Sequence, residues 1–362
     1  MKVLQIINNL GTGGAEKLLL QAIPLYNREG IETDLLVLNG KQHPFMKEFA
    51  ATGCKVISLG SGSVYNPMHI FRLMKHISKY DIIHAHLFPS LYWVAFAKWL
   101  SFSKVRLVFT EHNTHNRRRN NFLLKIVDNL VYSIYNRIIC ITQEVLDALS
   151  THIAQPDKLL VIVNGVELES VPTTVAYPKS AIDPGINDTD VLLVQVAAFR
   201  PQKDQATLIR AMELLPSAVK LVLVGDGMLR PEMEKLTSEL GLTSRVFFLG
   251  VRTDVQKLLK TADICILSSH WEGFGLAAVE GMAAGKPFIA SNVAGLAEVV
   301  NGAGILFEPG NENDLAQKIT ALSGDADYYN AVALKCRERA QKFDIRKMVQ
   351  SYINVYNQLA RT

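Results

Sequence analysis

The chain has 362 residues, 49% of them hydrophobic and 20% charged, with a mean hydropathy of +0.14. That length exceeds what one hydrophobic core usually serves, so two domains are expected, and the composition excludes a disordered, low-complexity or tandem-repeat protein. The net charge of +4 is unevenly placed: residues 1–165 hold 18 Lys and Arg against 11 Asp and Glu, a surplus of seven, and the remainder carries a net −3; this suits a lipid surface or a phosphorylated substrate and is too thin a basic footprint for nucleic acid.

Cys54, Cys140, Cys265 and Cys336 are scattered, without the paired spacing of a zinc site or a disulfide framework. The apolar run after Lys2 is too short for a signal segment, and no stretch reaches the length of a membrane span. A cytoplasmic protein is expected, able to attach to the inner face of the cytoplasmic membrane.

Residues 3–7 are a short apolar run ending in Asn-Asn-Leu-Gly-Thr-Gly-Gly, and residues 15–26 carry apolar side chains at helical spacing, so the chain opens as strand, glycine-rich turn and helix. Further strands are expected at 34–38, 55–59, 82–85, 106–110, 137–141 and 159–163, with helical patterns between most of them. Such alternation argues for a parallel, doubly wound sheet. Residues 167–190 contain three prolines and little periodicity, so the interdomain connection is placed there. The pattern then restarts, with strands at 190–196, 219–224, 246–249, 263–268 and 287–291, helices at 207–215, 230–240 and 276–284, and a helical terminus. The expected domains are 1–170 and 190–345, with 171–189 as linker and 346–362 as a C-terminal helix packing back on the first domain.

Within that frame, His270 to Pro287 sets Glu272 and Glu280 eight positions apart around Gly273-Phe274-Gly275. The glycines break any earlier helix, and the good helix formers from Leu276 onward start a new one. Glu272 therefore falls in a loop and Glu280 on a helix. The free N–H groups near 274–277 point into the enclosed space, a ready phosphate site flanked by two acids that can bind hydroxyls. The bland alternative is one stray Glu in a loop and another on an exposed helix.

Taken together, five pieces resemble the retaining glycosyltransferases of family 4: Gly13-Gly14-Ala15-Glu16 after the first strand, His112 after the strand at 106–110, Asn164-Gly165-Val166 before the linker, Lys203 after the first strand of the second domain, and the Glu-x7-Glu from Glu272 to Glu280. The resemblance covers essentially the whole chain. It implies the GT-B architecture, an α/β fold of two Rossmann-like doubly wound domains facing across a cleft, the first binding the acceptor and the second the nucleotide sugar. It also implies transfer of a hexosyl or acetylhexosaminyl group from a UDP- or GDP-linked donor to a hydroxyl of a glycan or polyprenyl-linked acceptor, in capsule, exopolysaccharide or lipopolysaccharide synthesis. No metal ion and no other cofactor is implied.

The chemistry agrees with that resemblance, because a departing nucleoside diphosphate needs positive groups and N–H dipoles around it. Lys203 supplies a charge, and the amides of Phe274, Gly275 and Leu276 supply dipoles. By the resemblance, Glu280 accepts hydrogen bonds from the ribose, Glu272 holds hydroxyls of the transferred sugar, and His112 contacts that sugar near the reaction centre, so His112 and Glu272 are the catalytic positions. Gly13 and Gly14 let the first loop approach the donor phosphate or the acceptor, with Glu16 beside them; a tight turn for its own sake is the alternative. Where many family members carry an Arg five residues before the Lys, this chain has Ala198; Arg200, two positions later, is assigned to that contact, the alternative being that the contact is missing. Arg252 is placed near the base.

Several rival motifs are weighed against this. Gly11, Gly13 and Gly14 do not make G-x-G-x-x-G, and Leu38-Asn39 stands where a nicotinamide enzyme has an acid. Asp188-Thr189-Asp190 and Asp325-Ala326-Asp327 match a metal-holding Asp-x-Asp but do not sit at strand C-terminal ends. His84 and His86 share a strand face and are expected as cleft or core histidines, with metal binding the alternative. Arg117-Arg118-Arg119 and the aromatic segment 91–100 favour contact of the first domain with an anionic membrane, against a buried helix beside solvated charges. Two other classes stay open: a sugar-nucleotide epimerase of the same architecture, and a catalytically silent nucleotide- or glycan-binding protein.

Overall fold

The structure, a computed structural model, describes residues 1–11, 13–41, 43–113 and 122–361. They form two compact units, Met1–Glu167 with Ile345–Thr362, and Leu168–Asp344.

In the first unit the strands are β1 (Lys2–Ile7), β2 (Glu32–Val37), β3 (Val56–Ser58), β4 (Ile82–His86), β5 (Arg106–Glu111), β6 (Arg137–Cys140) and β7 (Leu159–Val161). They are joined by helices α1 (Gly14–Arg28), α2 (Pro44–Ala51), α3 (His69–Ile77), α4 (Ser90–Ser101), α5 (Phe122–Ile134) and α6 (Gln143–Ser150). All pairs are parallel, in the order β3-β2-β1-β4-β5-β6-β7. Helices cover both faces of such a sheet, which is why β1 has no exposed surface at Val3, Leu4, Ile6 or Ile7. Each of these side chains contributes about 1.5–3 kcal/mol by leaving water. The order reverses between β1 and β4, and open α/β sheets bind ligands beside such a reversal, outside the strand C-termini.

The second unit repeats the plan with β8 (Val191–Val196), β9 (Val219–Val224), β10 (Val246–Gly250), β11 (Ile264–Leu267), β12 (Phe288–Ser291) and β13 (Ile305–Phe307), parallel in the order β10-β9-β8-β11-β12-β13. Its helices are α7 (Gln205–Ala211), α8 (Arg230–Glu239), α9 (Val255–Thr261), α10 (Leu276–Ala283), α11 (Leu296–Val300), α12 (Glu312–Gly324) and α13 (Ala326–Ala340). Helix α7 starts earlier than its apolar pattern because Asp204 caps it, accepting from Thr207 N at 3.2 Å. Strand β13, the three residues that directly follow Gly304, is too short to show a period.

The unit boundary falls at Glu167/Leu168, and residues 171–189, expected as a linker, belong to the second unit. Their polar groups explain this. Tyr177 donates to Asp254 Oδ2 at 2.8 Å, and Lys179 donates to Asp263 Oδ2 at 2.6 Å. After Asp344 the chain returns to the first unit as α14 (Ile345–Arg361), whose buried Met348, Val349, Tyr352, Tyr356 and Leu359 recur at helical spacing and share one core with Leu18, Leu19, Ala22 and Tyr26 of α1. No helix among the described residues is long and apolar enough to cross a membrane.

Candidate functional site

In the second unit the order reverses between β8 and β11, and the loops leaving these neighbouring strands carry Lys203 and Glu272. The two loops are laced together by backbone: Asp204 N donates to Ser268 O at 3.2 Å, His270 N to Gln202 O at 2.9 Å, and Lys203 bridges Ser269. Lys203 Nζ thereby forms an ion pair with Glu272 Oε2 and lies 3.4 Å from Ser269 Oγ, while Gln202 Nε2 donates to Glu272 Oε1 at 3.4 Å. Both charged side chains are mostly buried, at 15% and 12% exposure, so the lattice of contacts offsets a desolvation cost that neither could bear alone.

Helix α10 begins immediately after this pair. Its N-cap Gly275 has φ +85° and offers no side-chain cap, so the N–H groups of Leu276 and Ala277 keep their capacity for an anion, while Ala278 N donates to Gly275 O at 2.8 Å. A Cβ at Gly275 would also stand 2.7 Å from Leu296 Cδ1, so the glycine serves backbone geometry and packing together. The Phe274 ring is buried edge-on against Phe343, which leaves only its backbone to a ligand. Glu280 sits four residues into α10, about 6 Å along the axis from Leu276, half-buried. Arg200 is exposed, and its side chain makes no hydrogen bond among the described residues. Arg252 commits its fork to Asp254, at 2.8 and 2.6 Å, which with Tyr177 holds that carboxyl well below the usual range. It follows edge strand β10, two strands or about 10 Å from β8.

In the first unit, Gly13 caps α1, Gly14 begins it, and Glu16 folds back over Gly13: a Cβ there would meet Glu16 Oε2 at 2.3 Å. The space expected to admit a ligand at Gly13 is therefore filled by the helix's own acid. His112 follows β5, half-buried, with Nε2 3.2 Å from His86 Nδ1. Burial holds His112 down at about 4 and His84 at about 3, and drives His86 well below its ordinary value, so all three imidazoles are neutral at pH 7. The His84 and His86 rings lie 4.2 Å apart, tilted by 34°, within a buried network, and no group of three metal-binding side chains occurs among the described residues. Asn164 is buried with its Oδ1 unpaired.

Residues 12–170 match Glycosyltransferase Family 4, and residues 178–343 match the glycosyl transferases group 1. The chain belongs to the family 4, group 1 glycosyltransferases. This glycosyltransferase is 27% identical over 368 residues to the UDP-Gal:alpha-D-GlcNAc-diphosphoundecaprenol alpha-1,3-galactosyltransferase of Escherichia coli, covering 95% of this chain and 93% of that one. It is 26% identical over 363 residues to the N-acetylgalactosamine-N,N'-diacetylbacillosaminyl-diphospho-undecaprenol 4-alpha-N-acetylgalactosaminyltransferase of Campylobacter jejuni, covering 95% and 96%. Its fold is that of HepE of Anabaena, solved with UDP and glucose, at a TM-score of 0.87 and 23% identity over 99% of this chain and 100% of that one. The fold is therefore GT-B, with a Rossmann-like sheet in each unit.

The structure brings Lys203, Glu272 and the start of α10 together in the second unit, and sets Arg252 apart with Asp254. Residues 117–119 lie outside the described residues. Each of the two Asp-x-Asp motifs spends an acid on backbone: Asp188 accepts from Lys179 N at 2.9 Å, and Asp325 from Tyr328 N at 2.9 Å. Sequence reading passed over three glycines that shape the site of this glycosyltransferase. Cβ atoms at Gly225 and Gly227 would lie 2.1 Å from Ala197 O and 2.4 Å from Phe199 O, so β9 can close on the loop bearing Arg200 only with glycine there. Gly295, at φ +70°, similarly admits the carbonyl of Glu272, which a Cβ would meet at 2.4 Å. Gly-x-Gly after a strand was the available signal for the first two. Gly295 had only its place between a strand and a helix.

Proposed function

We propose that this glycosyltransferase moves one hexosyl or acetylhexosaminyl group from a UDP- or GDP-linked donor to a hydroxyl of a lipid-linked or growing surface glycan, with retention of configuration and without a metal ion. The observation that carries this reading is the Lys203–Glu272 pair held at the strand reversal, directly before the uncapped start of α10. Lys203 and the α10 amides stabilise charge growing on the departing diphosphate, and the exposed Arg200 adds a second cation. Glu272, fixed by Lys203 and Gln202, accepts from hydroxyls of the sugar, Glu280 accepts from the ribose, and His112 meets the sugar. The leaving phosphate takes the acceptor proton on the face where the new bond forms, so no side-chain nucleophile is needed. The alpha linkages and undecaprenol carriers in the names of two relatives support retention and a lipid-linked acceptor, and HepE's UDP supports the donor class.

The decisive experiment uses purified protein in chelator with a panel of nucleotide sugars. Expected are a rise in Tm for one nucleotide, lost in Glu280→Ala, and sugar transfer to a polyprenyl-diphosphate acceptor with the donor's anomeric configuration kept. No thermal shift with any nucleotide at millimolar concentration removes the donor reading, inversion removes retention, and activity only with added metal removes metal independence.

The membrane part of the reading is supported by the far end of α4. Its Leu91, Tyr92, Val94, Ala95 and Ala97 are buried, while Trp99 is 65% exposed and Phe102, just past the helix, 91%. Burial lowers the proton affinity of Lys98 nearby, and Arg106 and Lys158 lower it further, so cations cluster beside these aromatics. Such a pairing fits the interface of an anionic bilayer on the inner side of the cytoplasmic membrane. Flotation with anionic vesicles, reduced in a Trp99→Ser, Phe102→Ser double variant, is expected; no flotation of the parent protein ends this part of the reading.

A further inference from the structure

A buried chain of hydrogen bonds joins His112 to the C-terminal helix. His112 Nε2 lies 3.2 Å from His86 Nδ1, His86 Nε2 lies 2.8 Å from Gln5 Oε1, and Gln5 Nε2 lies 3.1 Å from the Tyr356 hydroxyl. Tyr356 continues to His84 Nδ1 at 2.7 Å; His84 Nε2 is 2.7 Å from Thr110 Oγ1, which is 3.1 Å from the Tyr352 hydroxyl. The links come from β1, β4, β5 and α14, all of the first unit. Parallel register puts Gln5 beside His84 and His86 beside Thr110.

The hydrogens can be placed one by one. An amide oxygen only accepts and an amide nitrogen only donates. Gln5 Oε1 therefore takes a hydrogen from His86 Nε2, and Gln5 Nε2 gives one to Tyr356. A neutral imidazole carries a single N–H, so His86 Nδ1 is bare and must accept, and the hydrogen between the two histidines belongs to His112 Nε2. The other arm agrees, since the 2.7 Å contact between Tyr356 and His84 Nδ1 is best made by a phenol O–H donating to an imidazole nitrogen. Turning the Gln5 amide over would reverse every hydrogen along the chain, so Gln5 is the switch point. Among the described residues, His112 Nδ1 has no hydrogen-bond partner.

We propose that His86, Gln5 and Tyr356 are positioning residues that hold His112 in its Nε2–H tautomer, leaving Nδ1 as an acceptor for a hydroxyl of the sugar. The hydroxyl part rests on the reading of His112 given above; the tautomer does not. The C-terminal helix thus reaches His112 through Tyr356.

The test is long-range ¹H–¹⁵N correlation NMR on the full chain labelled at histidine, with His112→Asn to assign the signal. Expected is a His112 protonated at Nε2 and bare at Nδ1; protonation at Nδ1 overturns the proposal. In Gln5→Met, which leaves His86 Nε2 without an acceptor, nothing fixes the His86 hydrogen, and His112 is expected as a mixture of Nε2–H and Nδ1–H, with kcat reduced about fivefold and donor KM within about twofold. A folded Gln5→Met whose His112 stays wholly Nε2–H overturns the relay, and a mixed tautomer with unchanged kcat overturns the hydroxyl-acceptor role. Tyr356→Phe is the second variant, expected to give a mixed His112 tautomer with a smaller fall in kcat; a parent-like spectrum counts against Tyr356. Full activity in His112→Asn would instead remove the functional reading of His112 while the parent spectrum still decides the tautomer.

Discussion

The two units finish equivalent parallel sheets in opposite ways. In the first, imidazoles and phenols form a hydrogen-bonded chain running from the strands to His112 past the end of β5, and burial keeps its imidazoles uncharged. At the strand ends of the second, a Lys and a Glu remain paired beside an uncapped helix start. The contrast teaches that one fold can be tuned to two tasks, through strand and helix residues in the first unit and through loops in the second. A neutral network orients hydrogen bonds precisely where geometry matters, whereas charges and dipoles are needed where a diphosphate departs.

The largest effect that separates the two ends is expected from Lys203→Ala. Removing the charge should lower kcat/KM about 100-fold or more, and it strands Glu272 in a mostly buried place. Steady-state kinetics on the folded variant checks this, and near-parent activity would remove Lys203 from the donor site. The matching change in the first unit is made by acid. His84 and His112 sit at about 3 and about 4 in the folded protein against 6.5 in the unfolded chain, so the native state binds fewer protons. Their contribution is whole above pH 6.5 and is lost as pH falls from 6.5 through about 4 for His112 and about 3 for His84, on the order of several kcal/mol in all. Urea midpoints at pH 7.5 and pH 5 should differ in that direction, with a shallower slope in His84→Gln.

Two glycine substitutions sharpen the comparison at smaller scale. Gly295→Ala drives a Cβ to 2.4 Å from a backbone carbonyl at φ +70°, and should cost about 1–3 kcal/mol together with activity. Gly13→Ala meets only the end of the Glu16 side chain, which can swing away, so a loss under about 1 kcal/mol is expected. Denaturant titration of both variants measures the difference, and equal costs would contradict the distinction between a fixed carbonyl and a movable carboxylate.

Much of the fold was legible in particular residues. The run Val3 to Ile7 declared a buried strand, and Gly275 before good helix formers marked the start of α10 to within a residue. Less legible was anything that needed a neighbour from elsewhere in the chain. Residues 171–189 look like a linker until Tyr177 and Lys179 are seen bonded to Asp254 and Asp263. Gly13 looks like an opening until Glu16 is seen above it, and Arg252 looks available until Asp254 is seen in its fork.

By itself, then, the sequence determined where strands and helices begin and which polar residues stand at strand ends, because apolar period, glycine breaks and caps act over a few residues. Only the tertiary structure decided that β8 lies beside β11, so that Lys203 meets Glu272, and that β1, β4, β5 and α14 align Gln5, His86, His84 and Tyr356. Those meetings depend on strand order and on a C-terminal helix 242 to 351 positions from its partners, and no local preference encodes a contact at that separation.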